Sequence, residues 1–361
     1  MIIGLVAFAL YLYFFIGFTE LSYVLENLNP MDYAVFYSLA VAGTLLSVLF
    51  IAASWHALLG ALSIKAKLKS LFLYTWAGTF VDLIVPCQAV CGEVTRIYLV
   101  RKDNRESYGA IAASSITNRM ISYVISSVGL LTGIVLLLSR AAADPFLLNL
   151  LIIALIGTVI YLVVLFYIAF DQKAPKKLAA VVFKLLKILK MKRFSAEELS
   201  RKAEDALSVF HQGFETFRKS PKHIVNPVVF QLLSLVLNIS VYMLVFYSIG
   251  IKNLYIDFFI IAYFIVGTVQ IAAAVFSVGT LEIILTNLFV LYGVPLGLSG
   301  LAATLLRFLT FWLPVLVGYV TVQVIGARSL LNPKAREGLA AQQSIEEKSA
   351  EPQKKEPETQ L

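Results

Sequence analysis

Long apolar runs alternate along the chain with short polar stretches. Six of them, near 2–19, 33–62, 108–139, 146–170, 224–250 and 298–327, reach the roughly 20 residues needed to cross about 30 Å of hydrocarbon. Each predicts a transmembrane helix. Two further apolar stretches, 71–99 and 258–295, are too short for two crossings. The first is broken at Pro86 and Gly92, the second at Gly279 and at Gly293-Val294-Pro295. Each predicts two short helices folded back as a re-entrant hairpin. The expected fold class is therefore all-α, a polytopic membrane protein with six full spans and two helical hairpins.

Composition supports the class before any motif is read. Of 361 residues, 59% are hydrophobic and 14% charged, against roughly half apolar and a quarter charged in soluble domains. The net charge of +8 would suggest nucleic acid in a soluble protein. Here most Lys and Arg fall in a few loops, as the positive-inside rule requires, so the basicity reads as orientation and no nucleic-acid partner is expected. The first apolar run lacks a basic leader and a small-residue cleavage pattern and reads as a retained span.

The charges also set the topology. Loop 19–32 carries Glu20, Glu26 and Asp32 with no Lys or Arg, which places it outside and the N-terminus in the cytoplasm. Lys65, Lys67 and Lys69 on one side of 71–99, and Arg101, Lys102 and Arg105 on the other, all call for the inner face. The first hairpin thus enters from the cytoplasm. Following the remaining spans, 258–295 starts and ends outside, so the second hairpin enters from the opposite face. The C-terminus returns to the cytoplasm, in a multi-pass protein of the cell membrane. Each half then reads span, span, hairpin, span, an inverted repeat of the kind common in secondary transporters. Repeat 1 covers about 1–139 and repeat 2 about 146–327, forming a membrane domain over 1–327. A basic insert, 171–223, interrupts the second repeat, and a polar tail over 328–361 is expected to be disordered.

Six ionisable residues lie inside apolar segments: Asp82, Glu93, Arg96, Arg119, Glu282 and Arg307. Charge at that depth is costly and normally faces a partner or a water-filled cavity. At about 1.5 Å per residue, Arg119 and Arg307 stand roughly 13–17 Å into their helices. Glu93 precedes Arg119 by 26 residues and Glu282 precedes Arg307 by 25. The guanidinium fork suits a carboxylate or a phosphate. Two readings follow and are compatible: both Arg residues bind an anionic lipid headgroup, or each pairs with its Glu. Gly92 and Gly279 stand at the hairpin breaks, where a half-helix N-terminus offers free N–H groups to an anion. Glu93 and Glu282 could instead complement those helix dipoles. Arg96, one turn beyond Glu93, is either part of this cluster or an interfacial positive-inside residue.

The remaining polar groups carry weaker signals. His56, Gln231, Asn238 and Gln270 either line a pathway or make interhelical hydrogen bonds, the second being the simpler reading. Cys87 and Cys91 read as small buried residues; no disulfide framework, metal site or cofactor is expected. No hydrolytic triad or nucleotide phosphate loop is present. The 171–223 stretch holds 13 of the 30 Lys and Arg. Lys176 to Lys190 suits a helix lying on an anionic inner leaflet. Ser195-Ala196-Glu197-Glu198 reads as a capping box opening a second helix, with Phe210, Phe214 and Phe217 along one face. That helix either simply connects the spans or docks on the membrane domain or a partner.

At Gly92-Glu93-Val94-Thr95-Arg96-Ile97-Tyr98-Leu99, followed by Asn118-Arg119, the chain resembles the lysylphosphatidylglycerol synthase transmembrane family of flippase-like membrane proteins. Gly279, Glu282, Gly293-Val294 and Arg307 carry the likeness in the second half, which extends over 1–327. Cys91, Val94, Ala273 and Ala274 depart from the family pattern. The resemblance implies a membrane unit that translocates a lipid. The soluble synthase domain is absent, and its aminoacyl-transfer activity is not carried over.

The leading expectation is a lipid flippase or transporter moving a phospholipid or polyprenyl-phosphate-linked lipid between leaflets. Arg119 and Arg307 would grip the phosphate while Glu93 and Glu282 compete for the guanidiniums. The alternatives are a membrane-embedded lipid headgroup transferase with Glu93 or Glu282 as base, and a non-transporting scaffold working through 171–223. The expected partners are the lipid substrate and the inner leaflet, and a homo-oligomer is compatible with the sequence.

Overall fold

A computed structural model describes residues 28–85, 90–104, 106–139, 145–170, 209–272 and 277–331. Among them every regular element is helical, with no strand. In order they are α1 (Pro30–Ala61), α2 (Leu68–Ile84), α3 (Val90–Asn104), α4 (Tyr108–Leu138), α5 (Pro145–Phe170), α6 (209–219), α7 (Lys222–Ser248), α8 (Ile256–Ala272), α9 (Ser277–Leu291), α10 (Leu296–Arg307), a π-helical turn (Phe308–Trp312) and α11 (Leu313–Leu331). Four stretches are long and apolar enough to cross a membrane: Pro30–Ala61, Tyr108–Leu138, Lys222–Ser248 and Leu296–Ala327. They match four of the six spans expected from the sequence. A fifth, 146–170, coincides with α5, 26 residues long, and 2–19 lies outside the described residues.

Helix starts and stops follow local chemistry. Asn29 caps α1 by accepting from the Met31 and Asp32 N–H groups, with Pro30 pre-set for the first turn. α1, α7 and α9 all end in the same way. The N–H of Ile64, Ile251 and Val294 reaches back five residues to the carbonyl of Leu59, Phe246 and Phe289 at 2.9, 3.0 and 3.1 Å. This closure needs a left-handed residue just past the helix. Gly250 and Gly293 supply it with φ of 84°, and Ser63 with φ of 61°.

α1 and α7 form the central pair, antiparallel, with Phe50 stacked on Phe230 and Phe36 edge-on to Tyr247. Lys252, just past α7, bonds Asp32 at the start of α1 at 2.8 Å. The end of α7 and the start of α1 therefore share one face of the helical body. On the other face, α1 ends and α2 begins.

The stretches 71–99 and 258–295 each hold two short helices, of 17 and 15 residues in both cases. α2 and α3 pack on one another, Thr79 against Arg96 and Tyr74 against Asp103, which fixes them as antiparallel. Phe258 at the start of α8 packs on Tyr292 just past α9, 4.9 Å between ring centroids, so this pair also doubles back. α2 leans on α11, with Phe80 beside Tyr319. α8 leans on α4.

Two main hydrophobic cores result, beside two small clusters where α6 packs. Ala52, Trp55, Leu59, Leu71, Tyr74 and Ile111 form the smaller, around α1, α2 and the start of α4. Phe246, Phe258, Phe259 and Phe289 centre the larger, around α7 to α10. Phe246 meets the other three edge-on at 4.9–5.7 Å, the favoured geometry for aromatic pairs. Burial of this kind cannot distinguish inside from outside in lipid; close fit does. A Cβ on Gly129 would strike the Phe264 ring, and one on Gly318 would lie 2.9 Å from the Trp76 carbonyl oxygen. Small residues let these helices approach, as membrane helix packing requires.

Candidate functional site

The first charged cluster forms where α3 begins, against α2 and α4. Arg119 donates from Nε to Glu93 Oε2 at 2.9 Å. Arg96 donates from Nη1 to the same oxygen at 3.3 Å, and Ser115 donates its hydroxyl to Oε1. Arg96 also donates from Nη2 to Thr79 Oγ1 at 3.1 Å and lies 4.0 Å from Asp82 Oδ2. Asp82 in turn accepts the Gly92 N–H at 2.7 Å. Two carboxylates and two guanidiniums thus neutralise one another in one connected network. Arg96 is part of this cluster through its contacts with Glu93 and Asp82.

Gly92 is needed for this fit. A Cβ there would collide with the Gly78 carbonyl oxygen and the Asp82 carboxylate. It stands inside the first turn of α3, not at the break, and its N–H is one of the free donors of a helix start. That donor is already taken by Asp82, so the anion held at this N-terminus is one of the chain's own. Glu93 lies in the same first turn and fits the dipole as well as the ion pair.

The second cluster is simpler and tighter. Arg307 donates from Nε to Glu282 Oε1 at 2.9 Å, with side-chain exposures of 1% and 0%. The guanidinium carbon also sits 4.9 Å from the Phe311 ring centroid, a cation–π contact. Phe311 reaches it from the π-helical turn that follows Arg307 directly. Pro314, without an N–H, cannot bond Thr310 as the α ladder would demand, and a π turn accommodates that gap.

The pairs share more than chemistry. Both use Nε at 2.9 Å, and the Glu stands on the second helix of a hairpin with the Arg on the next long helix. Arg119 is eleven residues past Tyr108 and Arg307 eleven past Leu296, about 17 Å of helix in each case. They differ in access. Arg119 and Glu93 keep 18% and 14% of their side chains exposed, whereas the second pair is sealed.

Gly279 lies within the first turn of α9, not at the break before it. Gln231 donates to Asn118 Oδ1 at 3.0 Å and Ser54 donates there at 2.6 Å, an interhelical network joining α1, α4 and α7. Asn238 donates within its own helix to Ser234 at 3.4 Å. His56 is exposed on α1. The side chain of Gln270 falls outside the description. Cys91 corrects the sequence reading: it is disulfide-bonded and only partly buried. The lack of a multi-cysteine framework said nothing against a single bridge, which needs only two thiols with Cα atoms about 4.4–6.8 Å apart. Cys87, the Lys176–Lys190 helix, the 195–198 capping box and the tail beyond 331 lie outside the described residues. The aromatic face of 209–219 is described: Phe217 packs on Leu58 and Ile121, and Phe214 on Met120, so it docks on the membrane helices.

Several partners were missed by the sequence reading. Ser115 precedes Arg119 by four residues and Thr79 precedes Asp82 by three, which puts each on the same helix face as its charge. Tyr161 on α5, within hydrogen-bonding reach of Arg119, gave no comparable signal.

Comparison with known proteins agrees with the fold. The chain is 24% identical over 335 residues to a UPF0104 membrane protein of Methanothermobacter thermautotrophicus, covering 90% of this chain and 94% of that one. It is 20% identical over 292 residues to the UPF0104 membrane protein PH1989 of Pyrococcus horikoshii, covering 80% and 86%. No solved structure matches. Residues 1–318 match the family model described as the lysylphosphatidylglycerol synthase TM region. The chain is a multi-pass membrane protein that belongs to this family.

Proposed function

We propose that the protein is a flippase-like transporter that carries a phosphate-bearing lipid between leaflets by alternating access of its two charged pairs. The single observation behind this reading is the contrast within a matched set. Glu93–Arg119 and Glu282–Arg307 have the same bond and helix placement, yet one is partly open and the other closed. A lipid phosphate entering at the open pair competes with Glu93 for Arg119, since guanidinium binds both anions through the same fork. Closing that site and opening the second hands the headgroup to Arg307. The two hairpins take matching places in the two halves of an inverted repeat, entering from the cytoplasmic and outer faces respectively, and Gly92 permits the close contact of α2 and α3 in the first.

The test is reconstitution of the full chain into liposomes with fluorescent headgroup lipids. Phosphate-bearing phospholipid is expected to cross several times faster than in protein-free vesicles, while a neutral glycolipid without phosphate stays near the protein-free rate. Equal rates for the two lipids, or no acceleration of either, would overturn the proposal.

A further inference from the structure

A cavity of about 350 Å³ lies between α4, α5, α6 and α7, and no member of either charged pair is among its lining residues. Met120 and Val124 of α4, Phe166 of α5, Phe217 of α6 and Val228 of α7 contribute to its apolar walls. Its size is within the roughly 300–1,000 Å³ of small-molecule sites. It runs from Thr117 to Ile125 along α4, about 12 Å of helix. Val124 and Phe166 remain 43% and 40% exposed, so the groove opens sideways toward the surroundings of helices that cross a bilayer. The medium against that face is lipid, and an apolar slot there is filled by hydrocarbon.

One charged residue lines it. Arg218, at the end of α6, lines it with a side chain that is otherwise largely exposed, and Lys219 and Lys222 lie nearby in sequence, also exposed. Glu215 is shared by two of these cations, 3.1 Å from Arg218 and 3.6 Å from Lys219. Three cations against one carboxylate leave a positive rim over an apolar slot.

We infer that this groove is a second lipid site, holding one acyl chain of an anionic phospholipid with its phosphate on Arg218, distinct from the path past Arg119 and Arg307. Slot and rim match the two ends of such a molecule: hydrocarbon against phenylalanine and valine, phosphate against a guanidinium fork. The bound lipid ties α6 to α4 and α7 as a resident ligand, not as cargo.

Native mass spectrometry of the purified full chain, released from nanodiscs of equal phosphatidylglycerol and phosphatidylcholine, tests this directly. Wild type is expected to retain one phosphatidylglycerol in at least fivefold preference to phosphatidylcholine. Arg218→Glu should lose the preference, and Val124→Trp, which fills the slot from an already exposed position, should lose the bound lipid. Arg119→Gln should retain it, which separates this site from the transport path. Undiminished phosphatidylglycerol retention by Arg218→Glu, or equal retention of the two lipids by wild type, would overturn the assignment. So would loss in Arg119→Gln as large as in Arg218→Glu, because the lipid would then sit at the central site.

Discussion

Arg307 and Glu282 hold one another by a 2.9 Å bond with almost no surface left to solvent, while the equivalent bond between Arg119 and Glu93 stays partly open. The same interaction therefore has different energetic weight at its two locations. Removing one member of the sealed pair leaves a charge in a site closed to solvent, whereas Glu93 stays partly exposed and keeps Ser115 and Arg96 when Arg119 is gone.

Arg307→Ala should accordingly cost about 3–5 kcal/mol of stability, and Arg119→Ala about 1–3 kcal/mol. The double variant Glu282→Gln/Arg307→Gln, which removes both charges, should recover much of the loss. Thermal or denaturant unfolding in detergent micelles gives the order. Equal losses for the two single variants would contradict the difference in burial.

The hairpin of α2 and α3 depends on two glycines in contact. An added Cβ at Gly78 would lie 2.6 Å from Arg96 Cγ and 2.8 Å from the Gly92 carbonyl oxygen. Gly92→Ala and Gly78→Ala should each cost at least 1–3 kcal/mol, roughly the range for overpacking. Gly60→Ala, with open space around it, serves as the control. Thermal unfolding in detergent micelles reads the effect as a lower midpoint in the first two variants only.

Ser63 and Gly250 occupy the same left-handed position after α1 and α7 but with different side chains. Ser63→Gly should raise stability by about 1 kcal/mol and Gly250→Ala lower it by a similar amount, following the cost of a Cβ in this conformation. A higher melting temperature for the first and a lower one for the second is the expected pair of results. A destabilising Ser63→Gly would mean that its hydroxyl contributes more than its backbone strain costs.

The salt bridge of Asp32 with Lys252 places the start of α1 beside the end of α7. Cysteines introduced at 32 and 252, in a background lacking Cys87 and Cys91, should crosslink readily. A pair at 32 and 65 should not, because Lys65 follows the far end of α1. Crosslinking of 32 with 65 in preference to 252 would contradict the packing of α1 on α7.

Much of this arrangement was readable from residue order because the bilayer constrains it so strongly. Apolar length gave the long helices, and the 26- and 25-residue spacings of the two Glu and Arg residues brought out both pairs. Helix ends were less legible. Gly92 and Gly279 stand inside first turns because α3 and α9 begin two residues before each of them, and a glycine in sequence does not reveal whether it breaks a helix or permits a close crossing. Access was not readable at all. Nothing around Glu282 in the chain says that it is closed in while Glu93 is not, since that depends on helices brought together from distant segments.

Headgroup translocation in liposomes by Arg119→Gln and Arg307→Gln, measured singly beside wild type, bears most directly on the transport proposal. Both variants keep a hydrogen-bonding side chain while removing the charge that would receive the phosphate. The account predicts that each one alone reduces the rate at least tenfold, because a lipid must pass both positions. A variant of either residue that folds and still carries phospholipid at the wild-type rate would contradict it.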